Sequence, residues 1–159
     1  MVRNDVTPII SVLKLSPTIE CIWLLLHADV APVVIGLLYR PPDAGPDCLE
    51  TLELEFMQHR EHGIDAVICG GFNVHDVAWL HRSSRTCAGG RMLEAMCKGF
   101  GLHQHVRSPS REKHLLDLVL SNEVDVRCTA CPPISDHCLV LAKFGTVLPA
   151  LGSSVRRTL

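Results

Sequence analysis

The sequence predicts an α/β layered domain in which helices cover the faces of a β-sheet, and three observations carry that prediction. Short apolar runs rich in Val, Ile and Leu recur at 19–27, 33–40, 64–69, 102–106, 115–121 and 138–144, each of strand length. Two intervening segments, 47–63 and 90–100, instead space their apolar residues as a helix does. Clusters of Pro and Gly at 41–46, 88–90 and 132–133 punctuate the segments, with no internal repeat or low-complexity block. Strands alternating with helices is the signature of layered α/β packing.

Each element has its own justification. Segments 19–27 and 33–40, joined by Ala28-Asp29-Val30-Ala31-Pro32, read as neighbouring strands buried on both faces. After the turn at 41–46, Asp47 with Glu50 three residues later resembles a capping box, and Leu49, Leu52, Phe56 and Met57 continue a helix toward Gly63. The run at 64–69 ends in Gly70-Gly71, a strand entering a loop that carries Asn73, Val74, His75, Asp76 and Trp79. In the second helix Met92, Leu93, Met96, Cys97 and Phe100 form one face, and Gly101 suits its C-terminal end. Residues 145–159 lose periodicity and read as a flexible tail to a domain spanning 1–144.

Composition narrows the function classes. With 159 residues and 47% apolar content the chain fits one domain that buries a real core. A formal charge of −2 excludes a polybasic chain that holds nucleic acid by bulk electrostatics, so any DNA contact needs a local patch. No apolar run approaches the ~18 residues of a membrane span, so no membrane partner is expected. The opening Met1-Val2-Arg3-Asn4-Asp5 does not read as a signal peptide. Eight cysteines, several within apolar runs (Cys21, Cys69, Cys97, Cys138), then read as buried thiols of a reducing, intracellular compartment, nuclear or cytoplasmic.

Polar residues gather where the strands end: Tyr39, Asn73, Asp117 and Ser135-Asp136-His137. Asp117 lies in the apolar run Leu115-Leu116-Asp117-Leu118-Val119-Leu120, where a carboxylate is costly unless paired or hydrogen-bonded. His137 is a natural partner for it. The pair reads equally as a satisfied structural contact and as part of a reactive rim.

Four motifs in order sharpen the choice: Leu38-Tyr39-Arg40-Pro41-Pro42, Val67-Ile68-Cys69-Gly70-Gly71-Phe72-Asn73, Leu115-Leu116-Asp117-Leu118-Val119-Leu120-Ser121 and Ser135-Asp136-His137. Together they resemble the endonuclease/exonuclease/phosphatase superfamily, in particular the apurinic-type endonuclease domain of jockey-like non-LTR retrotransposons, over residues 2–144. The resemblance implies a two-sheet α/β sandwich with flanking helices. It also implies a metal-dependent phosphodiesterase, using Mg²⁺ or Mn²⁺, that nicks target DNA to prime reverse transcription, with a reverse transcriptase domain as partner in the parent element. Within it Tyr39 resembles the tyrosine on the scissile phosphate, and Asn73 the asparagine that orients water or phosphate. His137 resembles the general base or phosphate-stabilising histidine, Asp117 the carboxylate that orients it, and Asp136 the carboxylate near the metal.

Two departures bear on activity. The family motif carries Asp where this chain has Gly71, so the carboxylate that aligns or deprotonates water is missing. Val2-Arg3-Asn4-Asp5 resembles a point inside the family domain, and no position here matches the metal-binding Asn and Glu of the strands before it. The expectation is an impaired site, its metal weakly held or lost, in an incomplete fold with an exposed strand edge near 9–15 or 19–26. The alternative is an inactive remnant that binds nucleic acid or a protein.

Remaining signals are weaker. Arg107, Arg111, Lys113 and His114 cluster before the Asp117 strand, with Arg82 and Arg85 in the earlier loop, and fit either DNA phosphates or a solvated surface. Cys128-Thr129-Ala130-Cys131 lacks the second pair that a zinc site needs and reads as structural thiols. Asp76 reads as a loop-capping residue and Trp79 as a core anchor.

Overall fold

In the computed structural model the described residues are 9–60, 64–122, 125–133 and 138–145. They form strands β1 (Ile10–Leu15), β2 (Glu20–Leu26), β3 (Val33–Tyr39) and β4 (Asp65–Gly71), with helix α1 (Asp47–His59) between β3 and β4. Helix α2 (Ala88–Phe100) follows, then β5 (His103–Gln104), β6 (Asp117–Ser121), β7 (Val126–Pro133) and β8 (Cys138–Phe144).

Six strands make one sheet in the order β1-β2-β3-β4-β6-β5, and β7 pairs with β8 in a second. The β3–β4 pair is parallel and every other pair antiparallel. A parallel pair needs a crossover, and α1 supplies it. Helix α1 packs on the sheet through Trp23, whose ring stacks 6.0 Å from that of Phe56, and Phe56 meets Phe100 of α2 edge-on at 5.1 Å. The left-handed Gly101, φ 66°, ends α2 as its position suggested, its N–H returning to Cys97 O.

Register puts Ile22, Leu37, Cys69 and Val119 in one row on the opposite face. The small sheet covers the Cys69 and Val119 half of that face: Val126 joins the core, and Cys128, Val140, Ala142 and Phe144 pack against it. The result is the expected two-sheet α/β sandwich, covered unevenly. Over β1–β3 an apolar groove of about 740 Å³ is left open, with Leu15 66% and Leu37 40% exposed. The expectation that both central strands are buried on two faces is therefore corrected, because two strands are too few to roof six.

Other differences have local causes. Helix α1 begins at Pro46 without a side-chain cap, so Asp47 and Glu50 form no capping box; Pro46 O accepts from Leu49 N and Glu50 N. The strand read at 102–106 shrinks to two residues because the Gln104 amide takes both Val106 N–H and Val106 O for itself. Strand β7 was not anticipated. The edge strands of the large sheet are β1 and β5.

Candidate active-site rim

Three of the residues singled out in the sequence stand in one cross-strand row. Tyr39, last in β3, is paired with Gly71, last in β4, and Gly71 with Asp117, first in β6. Facing residues on neighbouring strands lie about 5 Å apart, so a row of this kind is a continuous rim. Tyr39 is 50% exposed and Asp117 half-buried. Position 71 between them carries no side chain. A Cβ built there would sit 3.4 Å from Asp117 Oδ1 and 3.4 Å from Tyr39 Cδ2, ordinary contact distances.

The loops around the row are tied to it by backbone groups. Arg40 N donates to Gly71 O at 2.8 Å and Phe72 N to Leu116 O at 2.9 Å, carrying the ladders past the strand ends. The chain then turns at Asn73, whose φ of 48° suits an asparagine. Asn73 Nδ2 donates to Arg40 O at 2.7 Å. Arg40 answers from below: buried at 6% exposure, it donates through Nη1 to Asn73 O and through Nη2 to Ala44 O and Gly45 O.

Ser110 organises the other flank. Fully buried, its Oγ accepts from Leu116 N and Asp117 N, and its carbonyl accepts from Cys138 N at 2.7 Å. Residue 138 is thereby held beside the start of β6, next in sequence after Asp136 and His137. Those two residues lie outside the described residues.

Of the cationic positions, Arg107, Arg111 and Lys113 are exposed on the loop that leads into β6. Arg111 and His114 close a tight turn there, and the His114 ring meets His75 edge-on at 5.8 Å, so this loop leans on the Asn73 loop. Arg82 sits apart, exposed with φ 65°, in a turn that Asp76 organises. The buried Asp76 carboxylate accepts from Ala78 N at 2.8 Å, a loop-capping role. Trp79 donates to Gly90 O and packs against the core as an anchor.

Sequence reasoning missed Arg40, Ser110 and Cys87. A cation following directly on an apolar strand, as in Leu38-Tyr39-Arg40, was the available signal for the first. Cys87 caps α2: its Sγ accepts from Gly90 N and from His75 N, both at 3.3 Å. All eight cysteines are free thiols. Among the described residues no three His, Cys, Asp or Glu side chains converge as a metal site. The Cys128-to-Cys131 segment is part of β7 and the His103-Gln104-His105 segment runs along the sheet edge.

The family profile described as endonuclease-reverse transcriptase matches residues 33–141, a stretch that contains the whole rim. The chain belongs to that family. Its fold is the endonuclease/exonuclease/phosphatase fold, which low-identity likenesses to solved structures share. The endonuclease domain of TRAS1, a telomere-specific non-LTR retrotransposon, superposes with a TM-score of 0.67 at 15% identity, covering 87% of this chain and 67% of that one. A 3′ phosphatase from Neisseria bound to a product DNA hairpin gives 0.56 at 15% identity over 84% of this chain and 68% of that one. An AP endonuclease from Archaeoglobus fulgidus gives 0.51 at 15% identity over 77% and 65%. This family member thus spans about two thirds of each of these three chains. No curated protein matches it in sequence. No described helix is long and apolar enough to cross a membrane.

Proposed function

We propose that residues 1–144 are a retrotransposon-derived DNA endonuclease domain whose rim engages a phosphodiester but hydrolyses it poorly. The observation that carries this reading is the vacant position 71 between Tyr39 and Asp117. In such a rim the Tyr39 hydroxyl and the Asn73 amide bind phosphate oxygens, while Arg107, Arg111 and Lys113 fix the strand by its backbone without reading sequence. Arg82 takes the same role further out. Asp117 orients His137, which moves the proton, and Gly71 offers no carboxylate to position water. A reverse transcriptase of the parent element is the matching partner.

The Mg²⁺ or Mn²⁺ that the resemblance implies is not accommodated by the described residues. Asp117 and, three strands away in the same row and so about 14 Å off, Glu20 are the described carboxylates there, too far apart to hold one hard divalent ion together. Asp136 remains the proposed ligand, and no step is derived through an ion.

Nicking of supercoiled plasmid in Mg²⁺ or Mn²⁺ tests the reading, with the native chain beside Gly71→Asp and Gly71→Asp/His137→Ala. Restoring a positioned carboxylate is expected to raise nicking by about 10²–10⁴-fold, and removing His137 to abolish the gain. If folded Gly71→Asp nicks no faster than the native chain, Gly71 is not the impairment. Absence of DNA binding by every version would sink the nuclease reading itself.

A further inference from the structure

A second cleft, of about 240 Å³, opens behind the rim between the β3–α1 turn and the N-terminus of α2. Arg40, Pro42, Asn73, Arg85, Cys87 and Gly89 are among its walls, and no carboxylate is. Three observations bear on what it does. Cys87 stands at the N-terminus of a 13-residue helix, its Sγ accepting from two backbone N–H groups. Arg40, 94% buried by its 6% exposure, presents a buried Nε that has no hydrogen-bond partner. Its guanidinium reaches the first turn of α2, with Nη2 3.8 Å from where a Cβ on Gly89 would be.

From this geometry we propose that the cleft is a thiol-modification site, in which Cys87 exchanges with small anionic disulfides of the glutathione-disulfide class. The Cys87 thiolate attacks one sulfur of the incoming disulfide, a new S–S bond forms and the old one breaks. The departing half leaves as a thiolate and takes its proton from water. The reagent is itself the oxidant: its released half is reduced as Cys87 is oxidised to the mixed disulfide. The positive charges of Arg40 and of the exposed Arg85, both in its walls, draw the carboxylates of the reagent into a cleft lined by no carboxylate.

The other thiols sharpen the selectivity. Burial pushes Cys21 and Cys97 up to about 12 and Cys69 to about 11, and it also raises Cys48 and Cys128. Burial alone would raise Cys87 as well, but the N–H groups of His75 and Gly90, then the charges of Arg40 and Arg85, outweigh it and hold the thiol below its ordinary value. A partly exposed thiol whose deprotonation is eased in this way is the reactive kind.

The test uses the folded native chain with substoichiometric dithiobis(nitrobenzoate), an anionic disulfide, and with neutral dipyridyl disulfide, each labelled cysteine being located by peptide mass spectrometry. Cys87 is expected to label first with the anionic reagent, about tenfold ahead of the half-buried Cys131 and Cys138. Arg85→Ala is expected to slow the anionic reagent severalfold at Cys87 and to leave the neutral reagent little changed. Glutathione disulfide should then add one glutathionyl group at the same residue. First labelling at Cys131 or Cys138 would overturn the assignment, and an Arg85→Ala variant that reacts alike with both reagents would overturn the role of the cationic walls. Neither readout depends on nuclease activity, so the outcome is independent of the function proposed for the rim.

Discussion

Replacing Gly70 by alanine is expected to cost at least about 3 kcal/mol, while the same change at Gly71 stays within about 1 kcal/mol of the native stability. The two glycines are adjacent on β4, yet their surroundings are opposite. Gly70 has φ 138°, a region that side chains rarely enter, and a Cβ there would lie 1.9 Å from Leu38 O. Leu38 cannot move aside, because it is paired on one flank to Cys21 of β2 and on the other to Gly70 itself. The methyl group would have to force β3 from β4 at the parallel pair in the middle of the sheet. Gly71 has neither the strained φ nor a contact under 3.4 Å. Urea unfolding followed by circular dichroism separates the two: a Gly70→Ala protein as stable as the native chain would contradict the backbone described here.

That contrast has a functional side. Gly70 holds the strand end close against β3, and so sets where Gly71, Phe72 and Asn73 emerge. Gly71 is the neighbour at which a Cβ is accommodated without backbone rearrangement, so a substitution there need not bring loss of fold.

How much of this was legible in the sequence follows from how local each signal is. Strand β3 and helix α2 were read almost to the residue, because apolar periodicity and the Gly101 stop are written in adjacent positions. Strand β7 was not, since Val126-Arg127-Cys128-Thr129-Ala130-Cys131 carries small and polar residues and its Pro132-Pro133 end looks like a turn. Prolines are tolerated there because a two-stranded sheet is all edge. The motifs brought out Tyr39, Gly71 and Asp117, and their registry across β3, β4 and β6 is what the pairing adds. The roles of Arg40 and Ser110 were hard to read for a physical reason, even though the position of Arg40 after an apolar strand was a signal. Their partners are backbone carbonyls and amides, some near and some distant in sequence, which no side-chain pattern encodes.

Loss of the Glu55 carboxylate is the other large effect expected, because it joins α1 to the exposed edge of the sheet. Glu55, 4% exposed, accepts from Trp23 Nε1 and Ser16 Oγ at 2.9 Å each and pairs with Lys14 Nζ at 2.8 Å. Glu55→Ala is expected to cost about 3 kcal/mol, mostly by orphaning the indole N–H of the fully buried Trp23. Lys14, 30% exposed along its side chain, can turn to water, so Lys14→Met should cost less than about 1 kcal/mol. Glu55→Gln should fall between them, since its amide oxygen still receives the Trp23 donor and its NH₂ can serve Ser16 Oγ. Burial alone would push the Glu55 carboxyl up, but the hydrogen bonds from Lys14, Trp23 and Ser16 overcome it and hold the group below its ordinary 4.5. The sign follows: with the folded value depressed, the contribution is complete above the unfolded value and is lost as pH falls from there through the folded one. Unfolding free energies of the native chain and Glu55→Gln should therefore run parallel from neutral pH down to about pH 5 and converge below it. A gap that stays constant to pH 3, or that opens instead at alkaline pH, would show that the charge of Glu55 is not what fastens α1 to β1 and β2.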